Sequence, residues 1–452
     1  MLEKILNMLE HKEFVKLRST LSDLNAIDIA LILEEIPQEY ILRLFRFLPK
    51  ELAADTFVEM QPETQEHLIT SFTDKELQDI LEEMYLDDTV DVIEEMPANV
   101  VKRILKHSDP ETRSEINKIL NYPKDSAGSI MTIEYVNLKA DMTVAQAFHR
   151  IRTTGIDKET VYTCYVTDAN RRLSGFVTVK DMFFCDDSAK IEDIMETNVI
   201  YVDTFEDKEK VATLFRKYDF LAMPVVDKET RLVGIITIDD VIDVIQEENT
   251  EDIEKMAAIL PSEKPYLKTS VFETVKQRIP WLLLLMLSAT FTEKIISSFE
   301  ETLSACVILT AFIPMLMGTG GNSGGQTSVT IIRSLSLNDI RLKDIFRVQQ
   351  KELLVSLLCG LILGMVNFGK ILLLDSGNIL ASGQSPVMIA FVVSLTLFIT
   401  IVLAKFVGCT LPILVKRIGL DPAVTASPFI TTIIDAISLT IYFQVAIHLI
   451  NF

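Results

Sequence analysis

From residue 25 to about 120, apolar residues recur at helical spacing, and each short run breaks at a proline or an aspartate. The segments LEEIPQEY, RFLPKELA, VEMQPETQ, SFTDKELQ, EEMYLDDT, EEMPANVV and HSDPETRS return every dozen residues or so, marking a repeat. Proline or aspartate after an apolar run is a stop signal and an N-cap together. Helices this short cannot bury a face alone, so the pattern predicts a helical-repeat superhelix over residues 1–127. From residue 128 the period changes to strand alternation, as in VYTCYVTD and RLSGFVTV, interleaved with helical runs. VTDANRRLSGFVTVKD aligns with VVDKETRLVGIITIDD at a constant offset, so that Gly175, Thr178 and Asp181 match Gly234, Thr237 and Asp240. This duplication divides the block into repeats at 128–195 and 196–248. Residues 249–278 read as a charged connecting helix, broken at Pro261 and Pro265. Residues 279–452 hold five apolar runs, near 280–300, 303–332, 353–374, 386–415 and 424–450. Each reaches the ~20 residues that a membrane span needs, and the second and fourth are long enough to include interfacial ends or bends. The fold class expected is a multidomain α plus α/β membrane protein.

Charge sharpens this division. The chain has 452 residues, 49% hydrophobic, with a net charge of −21. Residues 1–278 carry −22 and residues 279–452 carry +1. Such acidity excludes a nucleic-acid partner, which requires a basic face, and suits cations. The loop 333–351 carries Arg333, Arg341, Lys343, Arg347 and Lys351, Lys416 and Arg417 follow the fourth run, and the alternate loops have no Lys or Arg. The positive-inside rule then places the N-terminal domains in the cytoplasm and the C-terminus outside, in a multi-pass protein of the cell (inner) membrane. The five cysteines are scattered and read as reduced. With no H-E-x-x-H, P-loop or G-x-S-x-G motif, no enzyme is indicated.

Several residues carry chemistry. Asp435 stands in the middle of the last apolar run, where a carboxylate costs roughly 2.5–3.5 kcal/mol unless it meets a partner or a wet cavity. A cation site along a pore is favoured, with Thr431 and Thr432 one turn earlier. Lys405 lies near enough to the inner face to snorkel. The tract GTGGNSGGQTS, containing Asn322, interrupts the second run with bare backbone and amides. It is expected to turn carbonyls or amides toward a hydrated ion, which non-helical backbone can do only beside protein or a water-filled cavity. Tight helix packing on glycine is the alternative. Asp88, Asp91 and Glu95 share one helix face, and Asp240, Asp243, Glu247, Glu251 and Glu254 have similar spacing. Crowded carboxylates repel, and divalent ions relieve that. Thr178 with Asp181 and Thr237 with Asp240 sit at helix starts, where they can bond a sugar or lie near phosphate, or simply cap the helix.

The duplicated Gly-apolar-apolar-Thr-apolar-x-Asp ending resembles a tandem pair of CBS domains, which commonly bind adenine nucleotides such as ATP. Pro314, Gly318 and then Gly321-Asn322-x-Gly324-x-Gln326 resemble the hallmark of MgtE-type magnesium transporters. The ordered N-domain, CBS pair, linking (plug) helix, five spans, GLDPA at 419–423 and intramembrane Asp complete the likeness over nearly the whole chain. The resemblance implies a homodimeric, Mg²⁺-selective channel-like importer with its pore between subunits. Asp435 would be the selectivity carboxylate, with Asn322 and Thr431 on the pore. Mg²⁺ would close the pore by bridging cytosolic acidic residues, a set to which Asp227 and Asp421 are added. A transporter of Mn²⁺ or Co²⁺, or a CBS-based nucleotide-sensing signalling protein, remains the alternative.

Overall fold

The structure, a computed structural model, describes residues 1–156, 158–262, 266–267, 269–337, 339–425 and 427–450. It divides into two compact units, Met1–Ile245 and Gln246–Phe452.

The first unit begins with ten short helices between Leu2 and Ile119. Proline and hydroxyl residues punctuate them as the pattern requires. Pro37, Pro49 and Pro97 occupy N-cap positions. Thr73 and Glu76 close a reciprocal capping box, and Asp109 accepts from the Glu111 and Thr112 amides. The first two helices pack on each other, and from Ala26 onward each helix packs on the next but one: Ala26–Glu35, Lys50–Val58, Asp74–Leu81 and Ala98–His107 form one row. Gln38–Phe45, Pro62–Ser71, α1 (Leu86–Glu95) and Pro110–Ile119 form the other. Leu33, Leu44, Phe57, Leu68 and Ile104 fill the space between rows, giving the two-layered stack that no single short helix could make.

The two repeats that follow have the same topology. β1 (Tyr135–Leu138), β2 (Thr160–Thr167) and β3 (Leu173–Thr178) form one sheet. β4 (Val202–Asp203), β5 (Ala222–Val226) and β6 (Leu232–Thr237) form the other. In each, the first pair is parallel and the second antiparallel. The repeats exchange ends. The Ala127 and Gly128 amides donate to Glu206 and Thr204 of the second repeat, while Glu196 pairs with Phe176 of the first. After β3 comes α2 (Val179–Phe183), and after β6 comes α3 (Ile238–Met256). The linking helix is continuous with this last element, and the chain leaves helix before Pro261. Pro265 lies outside the described residues.

The second unit is built from α4 (Val271–Ser298), α5 (Ile313–Ser336), α6 (Ile345–Lys370), α7 (Pro386–Arg417) and α8 (Ser427–Leu449). Among the described residues, four helices are long and apolar enough to cross a membrane; they include α4, α6 with its continuation to Ala381, α7, and α8 from Pro428. The remaining one, α5, has the length, 24 residues, but carries the glycine tract. α7 is the central helix: α5, α6 and α8 all pack on it, and α4 lies against α8.

Candidate functional site

The glycine tract does not unwind. Residues 313–336 form one continuous helix, so its carbonyls are committed to helical hydrogen bonds, and the expectation of non-helical backbone turned toward an ion is corrected. Its glycines instead permit close approach. A Cβ on Gly324 would collide with Ile434 of α8 and stand 3.0 Å from the Ala404 carbonyl of α7. One on Gly408 would collide with the Gly324 carbonyl, so α5 and α7 meet backbone to backbone there. One on Gly321 would stand 3.0 Å from Thr431 Cγ2.

While that face is buried, the opposite one is open. Pro314, Gly318, Asn322, Gln326, Thr330 and Arg333 recur every three or four residues and are all exposed. A membrane helix does not turn asparagine, glutamine and arginine to hydrocarbon without a partner. Beside the stripe stands α8. Gly321, next to Asn322, packs on Thr431, and Gly320 and Gly324 pack on Ile434, next to Asp435. The structure thus brings Asn322, Thr431 and Asp435 to neighbouring turns of two touching helices. Asp435 is partly buried. The Thr431 and Thr432 hydroxyls both bond the Pro428 carbonyl, at 2.8 and 3.0 Å.

Lys405 does not snorkel. It is 7% exposed, and its ammonium stands 3.9 Å from the Glu352 carboxylate. The sequence hides this partner, because the two charges lie far apart along the chain, on α6 and α7.

A second site lies within the first unit. Asp87 and Asp88 of α1 meet Glu134 and Glu159 of the first repeat and Asp239 and Asp240 at the start of α3. One carboxylate oxygen each from Asp87, Glu134 and Glu159 lie within 4.8 Å of one another. Asp87 is 8% exposed, and its Oδ1 has no hydrogen-bond partner among the described residues. Desolvation and then Asp88 push the Asp87 carboxyl up to about 7. Desolvation followed by Asp240 does the same for Asp88, and desolvation followed by Asp87 for Asp240. Glu159 reaches about 8 through desolvation and Asp87. The same crowding, desolvation and then Asp240, raises Asp91 although its surface is open. Oxygen ligands at this spacing suit a hard divalent cation. Glu134 and Glu159, flanking β1 and β2, were missed in the sequence because neither lies in an acidic run.

The other acidic candidates lie in different places. Glu95 and Asp243 are exposed, and Asp243 bears on Glu59, whose charge in turn bears on Asp88. Asp227 accepts from the Glu229 and Arg231 amides and pairs with the Arg231 guanidinium at 2.8 Å, which makes it a turn residue. Asp168 does the same in the first repeat, accepting from the Asn170 and Arg172 amides. In the second unit Lys255 bridges Glu251 and Asp421, the latter at 2.8 Å. Glu254 accepts from the Ser262 amide at 2.9 Å, and Glu247 is exposed. Nearby, Arg333 donates to Asn249 at 2.9 Å and Ser336 to Asp252 at 3.1 Å.

The two Thr–Asp pairs are no longer equivalent. Thr178 and Asp181 form an open capping box, with the Thr178 hydroxyl donating at 2.5 Å. Thr237 donates to Asp240 at 2.7 Å, but that carboxylate belongs to the acidic cluster. A phosphate there would face Asp87, so the geometry leaves Thr178 and Asp181 as the accessible pair.

Family comparisons agree with this division. Residues 313–445 match the model described as a divalent cation transporter, and residues 24–125 match the MgtE intracellular N domain. Residues 127–185 and 191–247 match the CBS domain. The chain is 37% identical to the magnesium transporter MgtE of Thermus thermophilus, over 95% of this chain and 94% of that one. It is 31% identical to the magnesium transporter MgtE of Bacillus subtilis, over 98% and 96%. A crystal structure of the cytosolic domain of the Mg²⁺ channel MgtE in complex with ATP superposes with a TM-score of 0.52. It is 35% identical and covers 54% of this chain and all of that one.

Proposed function

The chain belongs to the MgtE family of divalent cation transporters, and from that premise we propose that it imports Mg²⁺ along a path between two copies of itself. The observation that carries this reading is the exposed stripe of α5. Pro314, Gly318, Asn322, Gln326 and Thr330 form a polar and small-residue surface on a helix of the membrane-spanning bundle. A second copy of the stripe would enclose a wet path, and Asp435 with Thr431 would stand beside it on α8. Mg²⁺ sheds its water reluctantly. Amide and hydroxyl groups then serve as outer contacts to a hydrated ion, and paired Asp435 carboxylates supply the charge. The basic loops 333–351 and 416–417 support a cytoplasmic N-terminus and an external C-terminus.

The acidic cluster of Asp87, Asp88, Glu134, Glu159 and Asp240 is the proposed Mg²⁺ sensor. An ion there neutralises carboxylates that otherwise repel, so Mg²⁺ favours the arrangement with the carboxylates together, assigned to the closed state. Thr178 and Asp181 are the proposed contacts for ATP. Purified chain in liposomes, loaded with a Mg²⁺ indicator, tests transport. Uptake by the wild-type chain and its loss in Asp435→Asn are expected; equal uptake by both would remove Asp435 from the path. Cross-linking across α5 through cysteines at positions 318 and 322 tests the shared path. Failure to trap dimers while uptake persists would remove the second copy.

A further inference from the structure

Three side chains from three helices meet behind the exposed stripe. The Lys405 Nζ of α7 donates to Thr327 Oγ1 at 3.2 Å. Thr327, on the buried face of α5, donates to Glu352 Oε2 of α6 at 3.0 Å. The Lys405 Nζ stands 3.9 Å from the same oxygen. Lys405 is 7% exposed, and the Glu352 side chain 16%. A buried ion pair is weak evidence for stability, because apolar residues of the same volume fill such a place as well or better. Its charges nevertheless act over distance where water is scarce.

The position of the pair gives those charges a target. Ala404, next to Lys405, lies against Gly324, and Thr327 follows on the same helix. Asn322 and Gln326 lie on the other side of α5. One helix, about 10 Å across, therefore separates the pair from the stripe. We propose that Glu352 and Lys405 are specificity-determining residues that set the electrostatic potential of the Mg²⁺ path from behind its wall without touching the ion. Glu352 cancels a fixed positive charge that would repel a divalent ion twice as strongly as a monovalent one. This rests on the stripe being the ion path.

The test is the half-saturating Mg²⁺ concentration for uptake by the full chain in liposomes, separated from the maximal flux. One unit charge at about 10 Å through an effective dielectric of about 20 changes the occupancy of a divalent ion by tenfold or more. Glu352→Gln, which bares Lys405, is expected to raise half-saturation at least about tenfold. Lys405→Met, which bares Glu352, is expected to lower it, and the double variant to return near the wild-type value. A packing role would reduce maximal flux in both single variants; half-saturation unmoved, or moved the same way in both, would overturn the proposal. Should Glu352→Gln not reach the membrane, Lys405→Met against Lys405→Arg decides: only the former is expected to lower half-saturation, and no difference overturns the inference. Uptake indifferent to Asp435→Asn would instead remove the path itself, and the proposal with it.

Discussion

The Thr237 hydroxyl donates to the Asp240 carboxylate at 2.7 Å, and the first charged group to bear on that carboxylate is Asp87, from a helix far away in sequence. A residue that the repeat motif marks as a candidate nucleotide contact is thereby drawn into a carboxylate cluster. The cluster has a definite pH signature. Asp87, Asp88 and Asp240 rise from the ordinary carboxylate range to about 7. Their folded-state values exceed their unfolded ones, so their contribution to stability is fully present below about pH 4 and is lost as pH rises through about 7.

In the absence of divalent ions, hydrogen-exchange protection across Leu86–Glu95 in the full chain, taken relative to the base-catalysed intrinsic rate at each pH, is therefore expected to fall between pH 5 and pH 8. Mg²⁺ at millimolar concentration should restore the protection at pH 8 and do little at pH 5, where protons already neutralise the carboxylates. Asp88→Asn should flatten the pH dependence by about 1–2 kcal/mol, allowing for water around its half-buried carboxylate. Protection factors indifferent to both pH and Mg²⁺ would show that the cluster does not sense the ion.

Asymmetry between the repeats makes a nucleotide prediction. ATP titrated calorimetrically into the full chain is expected to bind one site per chain. Thr178→Val with Asp181→Ala should weaken it at least tenfold, whereas Thr237→Val should leave it nearly unchanged. Loss of binding in Thr237→Val alone would place the nucleotide in the second repeat, against the repulsion of Asp87 and Asp240.

The sequence made some of this plain and hid the rest for physical reasons. Proline and aspartate punctuation marked the short helices, because capping is a local matter settled within a turn. The duplication marked both sheets, since β3 and β6 fill the same position in their repeats. Asp435 was legible because an ionised group in an apolar run is costly wherever it packs. Glu134, Glu159 and Glu352 were not legible, because each acquires its meaning from partners that only the tertiary fold supplies. The glycine tract was misread in its backbone for the opposite reason. Glycine weakens a helix in water, but tertiary packing against α7 and α8 decides the matter here, and Gly324 and Gly408 stay helical because they touch.

That contact predicts an unequal response to the smallest substitution. Gly408→Ala places its methyl against the Gly324 carbonyl, a backbone atom that cannot swing aside. It is expected to cost about 1–3 kcal/mol and to lower the melting temperature of the detergent-solubilised chain by several degrees. Gly318→Ala meets no atom within 4 Å and should leave melting unchanged. Any loss of uptake in Gly318→Ala would then report on the ion path alone. Equal melting of the two variants would contradict the packing of α5 on α7.

Lys255 offers the final test, of how the acidic residues near the end of α3 are held. Its ammonium bridges Glu251 and Asp421. Although desolvation opposes the charge, the hydrogen bonds to Asp421 and Glu251 raise its pKa above the usual lysine range, so it stays protonated through physiological pH. Lys255→Gln leaves two partly buried carboxylates facing each other without a cation between them. Because the groups are partly solvated, the pair is worth only about 1 kcal/mol or less. Under the proposed gating, the lost bridge weakens the closed arrangement, so more Mg²⁺ is required to suppress uptake, by about two- to fivefold. Lys255→Arg keeps the charge and should behave as the wild type. A Lys255→Gln variant that closes at the unchanged Mg²⁺ concentration would show that this bridge plays no part in holding the path shut.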